Sequence, residues 1–262
     1  MPVATNGQAS LHWESQGSGD PVLLIIGHRF RRHMWYPVAP ALSPHYRILT
    51  MDNRGMGDSS TPPGRWSVAD MADDALAVLD AAGIERAHVH GMSMGGVIAQ
   101  DLAIRAPDRV ASLVLGCTAP WIAGKPDVKV RPRHVLTKKG RVELVTTLLH
   151  GPAATPEVVT ESLRNVARNQ PSARGTREQK RAMLSQRRTE DEIRTITAPT
   201  LVLHGTADVL TPFAGAERLA ALIPDCRLVP LDGAGHFYMA DATADANAAL
   251  LGFLDEHRMP GG

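Results

Sequence analysis

The sequence predicts an α/β fold: a mostly parallel sheet with helices on both faces and a helical insertion. Three observations carry this prediction. Short runs that are apolar at nearly every position, such as residues 22–26 and 110–115, suit strands covered on both faces. Segments with helical apolar spacing separate those runs, an order that specifies parallel strands joined by right-handed crossovers. The alternation then stops between residues 118 and 197 and resumes at Pro199.

Taken in order, Leu11-His12-Trp13-Glu14 alternates as an early strand and Gly17-Ser18-Gly19-Asp20-Pro21 forms a turn. Strands at 22–26 and 46–51 follow, with a short helix at 35–42 between them. Ser67 opens a helix over 68–82, with Asp70 three residues on to reciprocate the cap and Gly83 to stop it. A strand enters at Ala87-His88-Val89-His90, a helix follows over 97–105, and the next strand spans 110–115. Helices near 141–150, 156–169 and 176–188 occupy the insertion, the second started by Thr155 as a cap and Pro156 as first helical residue. After it come a strand at 200–204, a helix at 212–222, a strand at 227–231 and a helix at 244–257. The chain therefore divides into a core domain, residues 1–117 and 198–262, and a helical cap, residues 118–197. The cap is expected over the carboxyl ends of the strands, where sites in such sheets lie.

A chain of 262 residues with 44% hydrophobic composition can bury a large core, and a net charge of +1 gives no reason to expect nucleic acid or an anionic membrane as partner. Residues 1–10 lack the pattern of a secretion signal, and no stretch has the apolar length to span a bilayer. Cys117 and Cys226 read as two buried thiols, not a disulfide framework, which fits a reducing cytoplasm; the partner expected is a small-molecule substrate, and the chain is expected as a monomer or homodimer. Charge is unevenly distributed. Residues 118–197 carry 16 Lys+Arg and 8 Asp+Glu, a net +8, while the rest of the chain carries 12 and 19, a net −7. The simpler account is a solvated helical face. The functional one is that Arg131, Arg133, Lys138, Arg29 or Arg31 attract an anionic small-molecule substrate or one borne on an acidic carrier.

Chemistry is expected at His90-Gly91-Met92-Ser93-Met94-Gly95-Gly96. Entered from a strand and left into a helix, Ser93 sits on a turn so tight that small residues belong at 91 and 95. A serine hydroxyl is a weak nucleophile near neutral pH and needs a base, oriented in turn by an acid. Two later strand ends offer them: Asp208 in His204-Gly205-Thr206-Ala207-Asp208, and His236 in Gly233-Ala234-Gly235-His236. His88, His90 and His204 read as hydrogen-bonded packing, Cys117 as inert core, and Met92 and Met94 as pocket lining or core filling. None of the histidines has metal-ligand spacing, so neither a metal nor a cofactor is expected.

These stretches, with Asp52-Asn53-Arg54-Gly55-Met56-Gly57-Asp58-Ser59, resemble the α/β-hydrolase superfamily from Leu11 to about Phe253. The resemblance implies an eight-stranded sheet, Ser93 as nucleophile, His236 as general base and then acid, and Asp208 as the group orienting the imidazole. It gives the turn from Asp52 to Ser59 a structural role. It also implies an oxyanion hole of two backbone donors, Met94 and His28. The family usually has His-Gly before the second donor, whereas this chain has Ile26-Gly27-His28 followed by the bulky, basic Arg29-Phe30-Arg31-Arg32-His33. Gly27, Arg29, Trp121 and Phe237 are expected to contact substrate. The implied activity is cofactor-independent hydrolysis of an ester, lactone or thioester through an acyl-enzyme. Alternatives are hydrolysis of a carbon–carbon bond in a β-diketone-like substrate, a biosynthetic acyltransferase or cyclase, and a ligand receptor on the same fold.

Overall fold

The computed structural model describes residues 2–120, 142, 144–169, 171–186 and 188–259. Eight strands form one sheet: β1 (Val3–Asn6), β2 (Ala9–Gln16), β3 (Pro21–Ile25), β4 (Arg47–Met51), β5 (Ala87–Met92), β6 (Val110–Gly116), β7 (Thr200–Gly205) and β8 (Cys226–Leu231). Their order across the sheet is β1-β2-β4-β3-β5-β6-β7-β8. β1, β2 and β4 pair antiparallel, and all pairings from β4 to β8 are parallel.

Successive residues on a strand face opposite sides, and the core divides accordingly. Leu23, Ile25, Val89, Leu113, Leu115 and Val202 pack on one face, with α2 (Val68–Ala81), α3 (Met94–Arg105) and α7 (Ala214–Leu222). Val22, Leu24, Val114, Leu201 and Leu203 pack on the other, with α1 (Ala39–Leu42) and the C-terminal helix α8 (Thr243–Glu256). Covering both faces explains why β3 and β6 are apolar at nearly every position.

The element signals are mostly realised within a few residues. α2 begins at the expected capping box of Ser67 and Asp70, and Thr155 caps α4 (Pro156–Arg168) with Pro156 at its start. α5 (Ala173–Ser185) begins three residues earlier than expected, because Ser172 accepts the N–H of Gly175 as its cap. A five-residue helix, α6 (Glu190–Arg194), follows. The expected helix at 35–42 is instead a 3₁₀ turn at Arg32–Trp35 and the one-turn α1. Of the expected helix at 141–150, the described part is a π-helical turn at Leu144–Leu149. Strand β1 was not legible; its four residues lie at the sheet edge and most are exposed or half-buried. Among the described residues no strand lies between β6 and β7, and no helix is long and apolar enough to cross a membrane.

α3 can start at the end of β5 only because Gly95 has no side chain. A Cβ there would fall on the carbonyl of Ile25 in β3. Gly95→Ala is therefore expected to lower the melting temperature by about 6–12 °C, as for ~3 kcal/mol of overpacking in a domain of this size. An unchanged melting temperature would contradict this close approach.

Candidate active site

Ser93 joins β5 to α3 with φ 56° and ψ −119°, a conformation that L residues rarely adopt. Surrounding bonds hold it there. Its N–H donates to the carbonyl of Gly116 at 2.8 Å, and its carbonyl accepts from Gly96 N at 2.9 Å and from the Thr118 hydroxyl at 2.9 Å. The result is a half-buried hydroxyl lifted off the carboxyl edge of the sheet.

The other two candidate residues arrive from the loops after β7 and β8. His236 Nε2 lies 3.0 Å from Ser93 Oγ, and its Nδ1–H donates to Asp208 Oδ2 at 2.7 Å. Asp208 Oδ1 accepts the N–H groups of Leu210 at 2.8 Å and Thr211 at 2.9 Å. Burial opposes ionisation of Asp208, but attraction to His236, the two imidazoles and the backbone donor outweigh it, and the carboxyl titrates well below its usual range. The second imidazole is His204, whose Nε2 donates to the carbonyl of Thr211 at 2.8 Å and also lies 3.4 Å from Asp208 Oδ2. Its residue type and position suggested packing alone.

Gly27 lies against Ser93. A Cβ on it would stand 3.1 Å from Ser93 Cβ and 3.6 Å from its Oγ, so glycine keeps the space beside the hydroxyl open. His28 follows, and Met94 is the first residue of α3, where a backbone N–H has no intrahelical acceptor. The bulky loop after Gly27 is stitched to the helices that follow Thr155. His28 Nε2–H donates to the carbonyl of Thr176 at 3.0 Å, Arg29 N–H to Gln179 Oε1 at 3.3 Å, Arg31 N–H to Asn169 Oδ1 at 2.9 Å, and His33 Nε2–H to the carbonyl of Asn165 at 3.1 Å. Burial is the main cause lowering the His28 imidazole to about 4, consistent with a neutral donor. From below, Asn53 donates to the carbonyl of Ile26 at 2.8 Å, while Asp52 is engaged by the backbone and guanidinium of Arg32. The departure from small residues is thus accommodated by specific contacts on both sides.

Arg29 has φ 72°, its Nε is buried without a partner among the described residues, and burial lowers its pKa. Phe237, expected to contact substrate, has no exposed surface; its ring lies between those of Tyr36 and His150. Trp121, Arg131, Arg133 and Lys138 lie outside the described residues. Met92 and Met94 are both core, on opposite faces of the sheet.

Cys117 is buried as expected but stands beside the site, its thiol donating to the carbonyl of Gly235 at 3.6 Å. Its sulfur, a carboxylate oxygen of Asp208 and a nitrogen of His236 lie within 4.8 Å of one another, a separation that metal ligands can have. The carboxylate and imidazole are already hydrogen-bonded to each other. Burial, followed by the neighbouring charge of Asp208, pushes the thiol well up and opposes the thiolate that a metal would need.

A strained serine at a strand-to-helix turn, joined through one imidazole to a buried carboxylate, is the arrangement of a nucleophile elbow. Residues 20–243 match the family model described as alpha/beta hydrolase fold. The chain belongs to the α/β-hydrolase family. It is 32% identical over 268 residues to a protein of Azorhizobium caulinodans named as a carbamate hydrolase, RutD, covering 98% of this chain and 99% of that one. Among solved structures, it is similar to an enol-lactonase from Burkholderia xenovorans LB400, with 28% identity, a TM-score of 0.82 and coverage of 97% and 100% of the two chains. It is also similar to a thermophilic esterase from Thermogutta terrifontis, with 25% identity, a TM-score of 0.81 and coverage of 98% and 97%. This α/β-hydrolase is therefore a hydrolytic enzyme.

Proposed function

We infer that the protein is a cofactor-independent serine hydrolase that cleaves an ester, lactone or thioester of a small molecule through an acyl-enzyme. The observation that carries this reading is the continuous hydrogen-bonded chain from Ser93 Oγ through His236 to Asp208. In the first half-reaction Ser93 Oγ attacks the substrate carbonyl as its proton passes to His236 Nε2, and Asp208 stabilises the imidazolium. The backbone N–H groups of His28 and Met94 receive the oxyanion. Collapse expels the alcohol or thiol with the proton from His236. Water, deprotonated by the same nitrogen, then attacks the acyl-enzyme and releases the acid and Ser93. Relatives named as an esterase, an enol-lactonase and a carbamate hydrolase support this reaction class.

Arg29, whose buried Nε lacks an acceptor among the described residues, favours substrates bearing an anionic group near the oxyanion hole. The unpaired thiols Cys117 and Cys226 fit a reducing cytoplasm. The test is a fluorophosphonate reaction followed by mass spectrometry, with a panel of anionic and neutral esters, lactones and thioesters. The adduct is expected on Ser93, and Ser93→Ala should lose labelling and about 10⁴-fold or more in turnover while keeping its melting temperature. Preference for the anionic members should diminish in Arg29→Ala. An adduct elsewhere, or turnover retained without Ser93, would overturn the mechanism.

A further inference from the structure

The described residues hold a second buried imidazole–carboxylate pair outside the triad. His150 Nδ1–H donates to Asp241 Oδ1, and the two side chains are 2% and 0% exposed. The other carboxylate oxygen accepts the N–H of Gly151 at 2.8 Å and that of Gly235 at 2.7 Å. The His150 ring stands edge-on to Phe237 with centroids 6.0 Å apart, and its buried Nε2 has no partner among the described residues. A buried carboxylate that receives three N–H groups is a firm anchor, because each bond is charge-assisted.

What this anchor holds is the loop carrying His236. Before His236, the Ala234–Gly235 peptide is fixed by Gly235 N–H on Asp241, and the peptide directly after His236 by Phe237 N–H on the carbonyl of Leu149 at 2.7 Å. Farther along, Ala153 N–H donates to the carbonyl of Gly233 at 3.0 Å. Residues 149–153 thus run as a strap along residues 233–237, and Asp241 ties both together. Glycines permit the approach: a Cβ on Gly235 would stand 2.5 Å from both Gly151 N and the His150 carbonyl carbon, and one on Gly151 would stand 2.6 Å from Gly235 N.

We propose that Asp241 and His150 are positioning residues for the general base, holding His236 within reach of both Ser93 and Asp208 by clamping the backbone on either side of it. This rests on the reading of His236 as the base. A misplacement of about 1 Å at a reacting group can remove about 100-fold in rate, so a clamp on these two peptides bears directly on kcat. A pair that only stabilised the fold would alter melting and leave the turnover of folded enzyme unchanged.

Three variants of the full chain separate these roles. Asp241→Asn presents one acceptor oxygen where three donors converge. His150→Leu removes a donor while keeping bulk against Phe237, and His150→Asn returns an N–H near the place of Nδ1. With a p-nitrophenyl ester, Asp241→Asn and His150→Leu are expected to lower kcat by about 10–100-fold with KM within about threefold. Labelling of Ser93 by a fluorophosphonate should slow in parallel, and His150→Asn should recover most of both rates. Should Asp241→Asn fail to fold, the His150 pair decides alone. The proposal fails if folded His150→Leu keeps the wild-type kcat and labelling rate, or if His150→Asn is as impaired as His150→Leu. No Ser93 labelling in the wild type would overturn the reading of the site, and the proposal with it; normal wild-type labelling with unaffected variants would overturn the proposal alone.

Discussion

Asp208→Asn is expected to lower kcat by about 10⁴-fold while the protein still folds. The size of the effect follows from the bonds at this carboxylate. Oδ1 accepts two backbone N–H groups, from Leu210 and Thr211, and Oδ2 accepts Nδ1–H of His236. An amide has a single oxygen. If that oxygen stays with Leu210 and Thr211, the amide NH₂ faces His236 and favours the tautomer in which Nδ1 is the acceptor. Nε2 then carries the proton, 3.0 Å from Ser93 Oγ, and cannot take another from it. If the amide turns the other way, two backbone donors confront an NH₂ group, and the loop that carries residue 208 is displaced. Either arrangement removes the base. His204, 3.4 Å from Oδ2 and bonded to Thr211, braces the same loop but makes no hydrogen bond to His236 or Ser93 among the described residues, so it cannot replace Asp208. Single-turnover measurements of acyl-enzyme formation are the check, with melting recorded alongside. A loss smaller than about tenfold in well-folded Asp208→Asn would show that His236 does not depend on this carboxylate for its tautomer.

Ser93, Asp208 and His236 could be read from the sequence because each follows an apolar strand and stands among small residues, so strand order alone brings them to one edge of the sheet. The roles expected of Gly27, His28 and Met94 came from the family resemblance and not from strand order. Strand order could not find Asp241 or His150. Their bond joins positions 91 residues apart, and neither residue is marked by a strand end or a periodic pattern. The only local hint is Gly151, whose lack of a side chain has meaning once the Gly235 loop is seen against it. Phe237 shows the opposite difficulty. A large aromatic next to a reactive histidine suggests a pocket wall, but its burial between Tyr36 and His150 is fixed by tertiary packing. Helix starts were readable at Ser67 and Thr155, where a capping side chain precedes a periodic apolar segment, but not at Ser172 or Thr189, whose caps open more polar helices, nor at the 3₁₀ turn Arg32–Trp35, which has no side-chain cap.

Two histidines on β5 that take no part in the proposed chemistry should make the protein acid-sensitive well above the range where carboxylates titrate. His88 and His90 are 0% and 1% exposed in the centre of the sheet. His88 meets Ser112 at 2.8 Å and the edge of Tyr46; His90 meets the Tyr238 hydroxyl at 2.9 Å and packs on Trp35. Each neighbour partners one nitrogen of its ring and leaves His88 Nε2 and His90 Nδ1 buried without a partner among the described residues, and the attraction of Asp20 for a charged His88 is outweighed by burial. Burial accordingly lowers His88 from 6.5 to about 4 and His90 from 6.5 to about 3. Between these values and 6.5 the unfolded chain binds protons on both rings and the folded protein does not. Stability is therefore full above pH 6.5 and falls as pH drops, by about 1.4 kcal/mol per pH unit for each histidine once below 6.5. His28 and His33, also lowered chiefly by burial, act in the same direction. Asp208 has a lowered carboxyl instead, so its contribution is lost only below the ordinary carboxylate range, and the two effects occupy different pH windows. Urea unfolding at intervals from pH 7.5 to 4.5, as ~0.5-unit steps, should show the midpoint falling with a slope that His90→Gln reduces, because its side chain does not titrate. A wild-type midpoint constant from pH 7 to about 5 would mean that these imidazoles accept protons within the folded sheet.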